Sequence, residues 1–422
     1  MGSKHHNTWL GIFTVTTVLC TLALMSMGAL VTSKDVGMAV IDWPTSFQRH
    51  MFLLPPNEWV GKFGIFEEHA HRLIASLVGL LTAILAAWLW IREATGRPRL
   101  IALSGIVIMV VSMGIMMGIR KPYLFYAVGM FSAILAAFSV WKLISQPYAL
   151  RWWGMLAFGM VIVQGVLGGG RVAEIKPEYG IIHGTLAQIF LVVLTILALF
   201  NSRWWKQTRT AVNEDERTPR IVRTHFFYAS ILIFLQLIVG ATMRHQHAGL
   251  PVWDFPAAHG QIWPKTTDAH IAAYNQDRNS LHARLKTEGL AIDEKGLPII
   301  YLNAIPDITA KHVNLHMTHR VMAGVILLVV IGTAIVTSRR LGLSHPLSRL
   351  SQFWTGLILL QATLGVLTVL KYKPADITSL HVLVGALALL TGVMGSIISR
   401  FKHLPQRNLE TSSVTKMKEV TA

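Results

Sequence analysis

Residues 67–72 read EEHAHR and residues 316–320 read HMTHR. Each stretch sets a His-Arg pair, His71-Arg72 and His319-Arg320, at the start of a long apolar run. A second histidine follows later in each case, His183 and His381. An ionisable side chain inside an apolar run is costly without a role. Two imidazoles on neighbouring helices of one bundle can ligate a haem iron from both sides. The four histidines would then make two such sites. The bland alternative is that each histidine caps or packs a helix end, and the duplicated pattern weighs against it.

The neighbours of these histidines differ in what they offer. Glu68 lies three residues before His71 and shares its helical face. Its counterpart in the second stretch is His316, so the two sites are expected to do different things. A carboxylate in a poorly solvated site has raised proton affinity and can accept a proton. His69 lies two residues from His71, about 200° round a helix. It is expected at the membrane interface, away from the site, and Glu67 is expected to be solvated. Arg72 and Arg320 could fork onto a carboxylate such as a haem propionate. They could equally snorkel to lipid headgroups. His245, His247, His259, His270, His282 and His312 crowd one polar segment with no firm metal spacing. They are read as surface histidines, with transient copper binding as the other option.

The elements that must position these groups are membrane spans. The 422 residues are 53% hydrophobic and 14% charged, which excludes an ordinary soluble enzyme. The net charge of +17 does not point to nucleic acid, because Lys and Arg fall mainly between apolar runs, where they set topology. The single cysteine, Cys20, permits neither an internal disulfide nor a cysteine metal site. Ten runs are long enough to cross about 30 Å of hydrocarbon: 9–31, 68–91, 100–119, 122–144, 152–171, 179–200, 224–243, 313–337, 350–370 and 378–399. Basic residues concentrate in 92–99, in 201–223, after 337 and from 400 onward. By the positive-inside rule both termini are cytoplasmic, and the four histidines lie near the outer face.

The sequence repeats. GALVTSKDVGMAVIDWP (28–44) aligns without a gap with GATMRHQHAGLPVWDFP (240–256), matching Gly28 with Gly240 and Asp42 with Asp254 at an offset of 212. His71 falls on His319 at an offset of 248, and VQGVLGG (163–169) resembles LQATLGV (360–366). His183 falls on His381 at an offset of 198. The shifts place a longer outer loop in the second half and an extra hairpin, 100–144, in the first. Both halves start in the same orientation, as in a parallel repeat. The expected fold is an all-α polytopic membrane protein: two pseudo-symmetric four-helix bundles plus one transmembrane hairpin. Residues 1–202 form the N-terminal bundle, 203–222 a cytoplasmic linker, 223–402 the C-terminal bundle with outer loop 244–312, and 403–422 a cytoplasmic tail. The hairpin is expected to pack against the first bundle, and loop 244–312 to cover a site.

Taken in order, Glu68-x-x-His71-Arg72, GMAVIDWP (37–44), QGVLGGGRV (164–172), His183, HAGLPVWDFP (247–256), His319-Arg320 and His381 resemble the haem A synthase family. The resemblance covers most of the chain. It implies oxidation of the C8 methyl of haem O to the formyl of haem A, for aa3-type terminal oxidases of a prokaryotic cell membrane. It implies a b-type haem held by His319 and His381, with Arg320 beside it. The substrate haem would lie between His71 and His183, with Arg72 beside it and Glu68 as the catalytic carboxylate. Haem O synthase (a protohaem farnesyltransferase) and oxidase assembly factors become expected partners, with membrane lipid around the chain. A homo-oligomer is left open, and no nucleic acid is expected. Residues 32–67 lack the cysteine pair common in this family, and the hairpin 100–144 is also a departure. The competing reading is a di-haem b-type cytochrome that only passes electrons. A further one is a membrane transporter or assembly factor without haem.

Overall fold

The computed structural model describes residues 7–119, 122–211, 217–289 and 307–404. Ten helices in it are long and apolar enough to cross a membrane. They are α1 (Thr8–Ser33), α2 (Ile65–Glu93), α3 (Gly96–Ile119), α4 (Pro122–Ser145), α5 (Leu150–Glu174), α6 (Pro177–Asn201), α7 (Arg220–His245), α8 (Ala310–Leu341), α9 (Pro346–Leu370) and α10 (Ala375–Phe401). Among the described residues there is no β-strand, only isolated bridges. The protein is an all-α polytopic membrane protein, as its apolar runs require: a backbone in hydrocarbon must satisfy its polar groups within the segment.

The repeat is visible in the packing. In the first half α1 packs on α2 and α6, α2 on α5, and α5 on α6. In the second half α7 packs on α8 and α10, α8 on α9, and α9 on α10. The same four-helix unit therefore occurs twice, with α1, α2, α5 and α6 matching α7, α8, α9 and α10. The seam between the halves repeats as well, α1 meeting α10 where α7 meets α6. Leu191, Ala386 and Leu390 fill that seam with Leu22 and Met25. Each half has its own core, one around Leu85, Leu194 and Leu197, the other around Phe226, Val330 and Trp354.

The extra hairpin packs against the first bundle, but its two helices behave differently. α4 lies tightly along α5. A Cβ at Gly159 would come 2.8 Å from the Ser132 carbonyl, so only glycine permits that approach. α3 rests on α2 and barely touches α4.

The polar connections gather at the two ends of the bundle. At one end, Asn201 reaches Thr14, and Lys402 Nζ donates to the carbonyls of Trp205 (2.6 Å) and Thr208 (3.0 Å). The start of α1, the linker and the end of α10 thus share one face. The proposed tail, 403–422, lies outside the described residues from 405 onward. At the other end, loop 34–64 folds over the start of α2. After α7, residues 246–289 and 307–309 fold over the start of α8, and they include a helix, Asp268–Thr287. Tyr274 of that helix stacks on His259 with ring centroids 3.6 Å apart, over a small core of Val252, Ala258, Val313 and Met317.

Candidate functional site

All four histidines line one cavity of about 1200 Å³ that runs through both halves. This exceeds the ~300–1,000 Å³ of a typical small-molecule site. His71 on α2 interacts electrostatically with His183 on α6, and His319 on α8 with His381 on α10. Each pair comes from two helices of one four-helix unit.

The ring positions follow one rule. Each histidine packs its Cε1 against a glycine of an adjacent helix: His71 against Gly28, His183 against Gly168, His319 against Gly240 and His381 against Gly365. A Cβ at these glycines would lie 2.9, 3.3, 3.4 and 3.2 Å from Cε1. Four residues before two of these glycines, a glutamine reaches the backbone of the histidine's helix. Gln164 Nε2 donates to the His183 carbonyl (3.2 Å) and Gln236 Nε2 to the His319 carbonyl (2.9 Å). His183 Nδ1 lies 3.2 Å from the Gln164 carbonyl, the outer-shell contact that fixes a ligand imidazole's tautomer. The Leu24 and Gln361 backbones stand in the same relation to His71 and His381, more loosely, since Nδ1 makes no full hydrogen bond in either. The glycines thus leave each imidazole just the space it needs against a helix backbone.

Gly28→Ala is therefore expected to displace His71, because the methyl would come within 2.9 Å of the ring. Gly240→Ala, at 3.4 Å, is expected to be tolerated. Ligand affinity at the first pair should fall roughly 10- to 100-fold in Gly28→Ala, the usual range for a disturbed outer shell. Titration with haem, followed by absorbance, measures this. Equal behaviour of the two variants would exclude the cradle role.

Glu68 lines the same cavity but is not an isolated carboxylate. Its Oε1 accepts from Arg72 Nη2 at 2.7 Å and its Oε2 from the Val40 N–H at 2.8 Å. In the second half Arg320 Nε donates to His316 Nε2 at 3.1 Å, so Glu68–Arg72 and His316–Arg320 are matched pairs. Both arginines line the cavity and also hold neighbouring backbone. Arg72 donates to the carbonyls of Val40, Asp42 and Thr45, and Arg320 to those of Val252, Asp254 and Ala257. They tie the segments preceding α2 and α8 to those helices. Asp42 and Asp254 cap those loops. Burial opposes their ionisation, but hydrogen bonds from Thr45, Gln48 N and Phe47 N, or from Gly260 N and His259 N, hold the two carboxyls below the usual range.

Three expectations are corrected. Glu67 is buried rather than solvated: it accepts from Lys34 Nζ at 2.5 Å and from the Gly64 N–H at 2.7 Å, capping α2. His69 is 1% exposed rather than interfacial, facing Ser46 and the Trp59 ring under loop 34–64. It points away from the cavity, as the helical spacing requires. His245 is no loop residue: it closes α7, lines the cavity and packs on Gly180 of α6. Among the described residues no cluster of three or more His, Cys, Asp or Glu could hold a metal ion.

The structure adds cations that the sequence reading passed over. Arg171, Arg244 and Lys373 line the cavity, and among the described residues none forms a salt bridge. Arg244 on α7 reaches across the seam to Ala29 O and Ser33 Oγ of α1. Arg171 on α5 packs against Gly37 and feels Arg244. Lys373, in the α9–α10 turn, is pushed down to about 8, chiefly by burial and then by Arg244, with Asp35 opposing. Like charges gathered in a low-dielectric wall call for an anionic ligand.

The donor set fits haem. Imidazoles from two helices of each four-helix unit line the cavity, glycines leave room for the rings, and the buried Nδ1 of His319 has no hydrogen-bond partner among the described residues. The sequence matches the COX15-CtaA family of cytochrome oxidase assembly proteins over residues 123–393. The chain belongs to this family. It is similar to a protein named heme A synthase from Alkalihalophilus pseudofirmus, 26% identical over 265 residues, 60% of this chain and 66% of the relative. It is similar also to one of the same name from Shouchella clausii, 25% identical over 255 residues, 59% of this chain and 64% of the relative. The match thus spans just under two thirds of each relative's length.

Proposed function

We propose that this protein is a haem A synthase, oxidising the C8 methyl group of haem O to the formyl group of haem A. The observation that carries this reading is the duplicated pair of glycine-cradled histidines with a carboxylate, Glu68, at only one of them. His319 and His381 would hold a b-type haem as cofactor, and His71 and His183 would hold haem O. Bound iron supplies the redox chemistry. The chain's own residues orient the ring, exclude water and hold the carboxylate of Glu68 at the cavity wall, where it can take up a proton. Arg171, Arg244 and Lys373 are suited to haem propionates, together with Arg72 at the first pair and Arg320 at the second. The face carrying the start of α1, the linker and the end of α10 would be cytoplasmic and the histidine sites would lie near the outer face. Haem O would arrive from a protohaem farnesyltransferase, and the product would pass to oxidase assembly.

Protein purified from cells that make haem O is expected to yield haem B together with haem O or haem A on acid extraction. Haem B alone at both sites would replace this reading with a di-haem electron carrier. No haem at all would defeat both.

A further inference from the structure

We infer that the extra hairpin gives the first half an apolar gallery for a long hydrocarbon chain attached to the ring held by His71 and His183. This rests on the reading above and extends it to substrate choice. The cavity does not end at the histidines. It continues between α2, α3 and α5, where Leu77 and Leu80 face Val110, Met113 and Gly114, with Phe158 beyond. α3 can stand off because it scarcely touches α4, which is locked instead onto α5. Gly79 on α2 and Gly114 on α3 have no atom within 4 Å of where a Cβ would be, so each faces open space. These walls are apolar and continuous with the site.

Among the described residues the second half has no such element. The counterpart of Leu80 is Leu328 on α8, which does not line the cavity, whereas Leu77 and Leu80 do. A gallery in one half only matches ligands that differ in one way: haem O carries a hydroxyfarnesyl chain, and haem B does not. Burying a few methylenes of that chain is enough for roughly tenfold preference or more.

The test uses the full-length protein and two probes, haem B and haem O, titrated by absorbance. Wild type is expected to bind haem O through His71 roughly tenfold or more tighter than haem B. Gly114→Trp, and independently Gly79→Leu from the opposite wall, should erase that preference while haem B still binds, which also shows that the variants fold. Preference retained in both variants, or absent from wild type, overturns the gallery. Haem binding that His71→Ala does not alter overturns instead the assignment of the site, and the gallery with it.

Discussion

Glu68→Gln is expected to leave both histidine pairs able to bind haem and to reduce haem A formation by roughly 10²- to 10⁴-fold, the range for a lost general acid–base group. The amide keeps the volume and one acceptor for Arg72 or the Val40 N–H, but it cannot take a proton. Glu68→Ala should do more. Glu68 and Arg72 are 5% and 10% exposed as side chains. Removing one partner of a buried pair typically costs about 3–5 kcal/mol, because the other charge is left uncompensated. Arg72 also holds loop 40–45 through three carbonyls, so the loop should loosen with it. The alanine variant is therefore expected to melt earlier as well as to stall. Haem content, haem A yield and thermal unfolding of the two variants separate these effects. Wild-type haem A yield in Glu68→Gln would remove the carboxylate from the proposed chemistry. A yield lost in both Glu68→Gln and Arg72→Lys, with both proteins melting early, would make Glu68 a positioning residue for the loop.

The spans and the repeat were legible in the sequence for a plain reason. An apolar run of fixed length is the only way a helix crosses hydrocarbon, and two copies of one bundle must keep their packing residues at matching places. Gly28 and Gly240 stand out in the alignment, but their purpose does not. Only the crossing of α1 with α2, and of α7 with α8, shows that each glycine makes room for an imidazole. Spacing along α2 correctly turned His69 away from His71. It could not show that loop 34–64 folds back over the helix start, burying Glu67 and His69. Arg171 and Arg244 were missed because a basic residue at the end of an apolar run resembles a topology signal. Their role depends on two helix ends meeting across the seam, a contact that no local pattern encodes. Arg72 and Arg320 have a further task that spacing does not show: the carbonyls of the segments that fold back over α2 and α8 accept from them.

His381→Ala is expected to strip the b-type pigment from the purified protein while His183→Ala leaves it in place. The cavity is continuous, yet the pairs stand on different helix pairs, α2 with α6 and α8 with α10. Each ring packs on its own glycine of its own four-helix unit, so loss of one should not propagate to the other pair. His69→Ala should change neither pigment, because its ring lies against Ser46 and Trp59 outside the cavity. The glycine cradles sharpen this test. With His381 truncated, the space beside Gly365 is the size of the missing ring, so imidazole added to the buffer should enter it and restore part of the spectrum. A variant that had merely misfolded would not recover, and neither would a site whose iron ligand lay elsewhere. Loss of the b-type pigment in His183→Ala with retention in His381→Ala would reverse the assignment of cofactor and substrate sites. Because the carboxylate sits in the first half alone, that outcome would also part Glu68 from the substrate and leave the proposed oxidation without its proton acceptor.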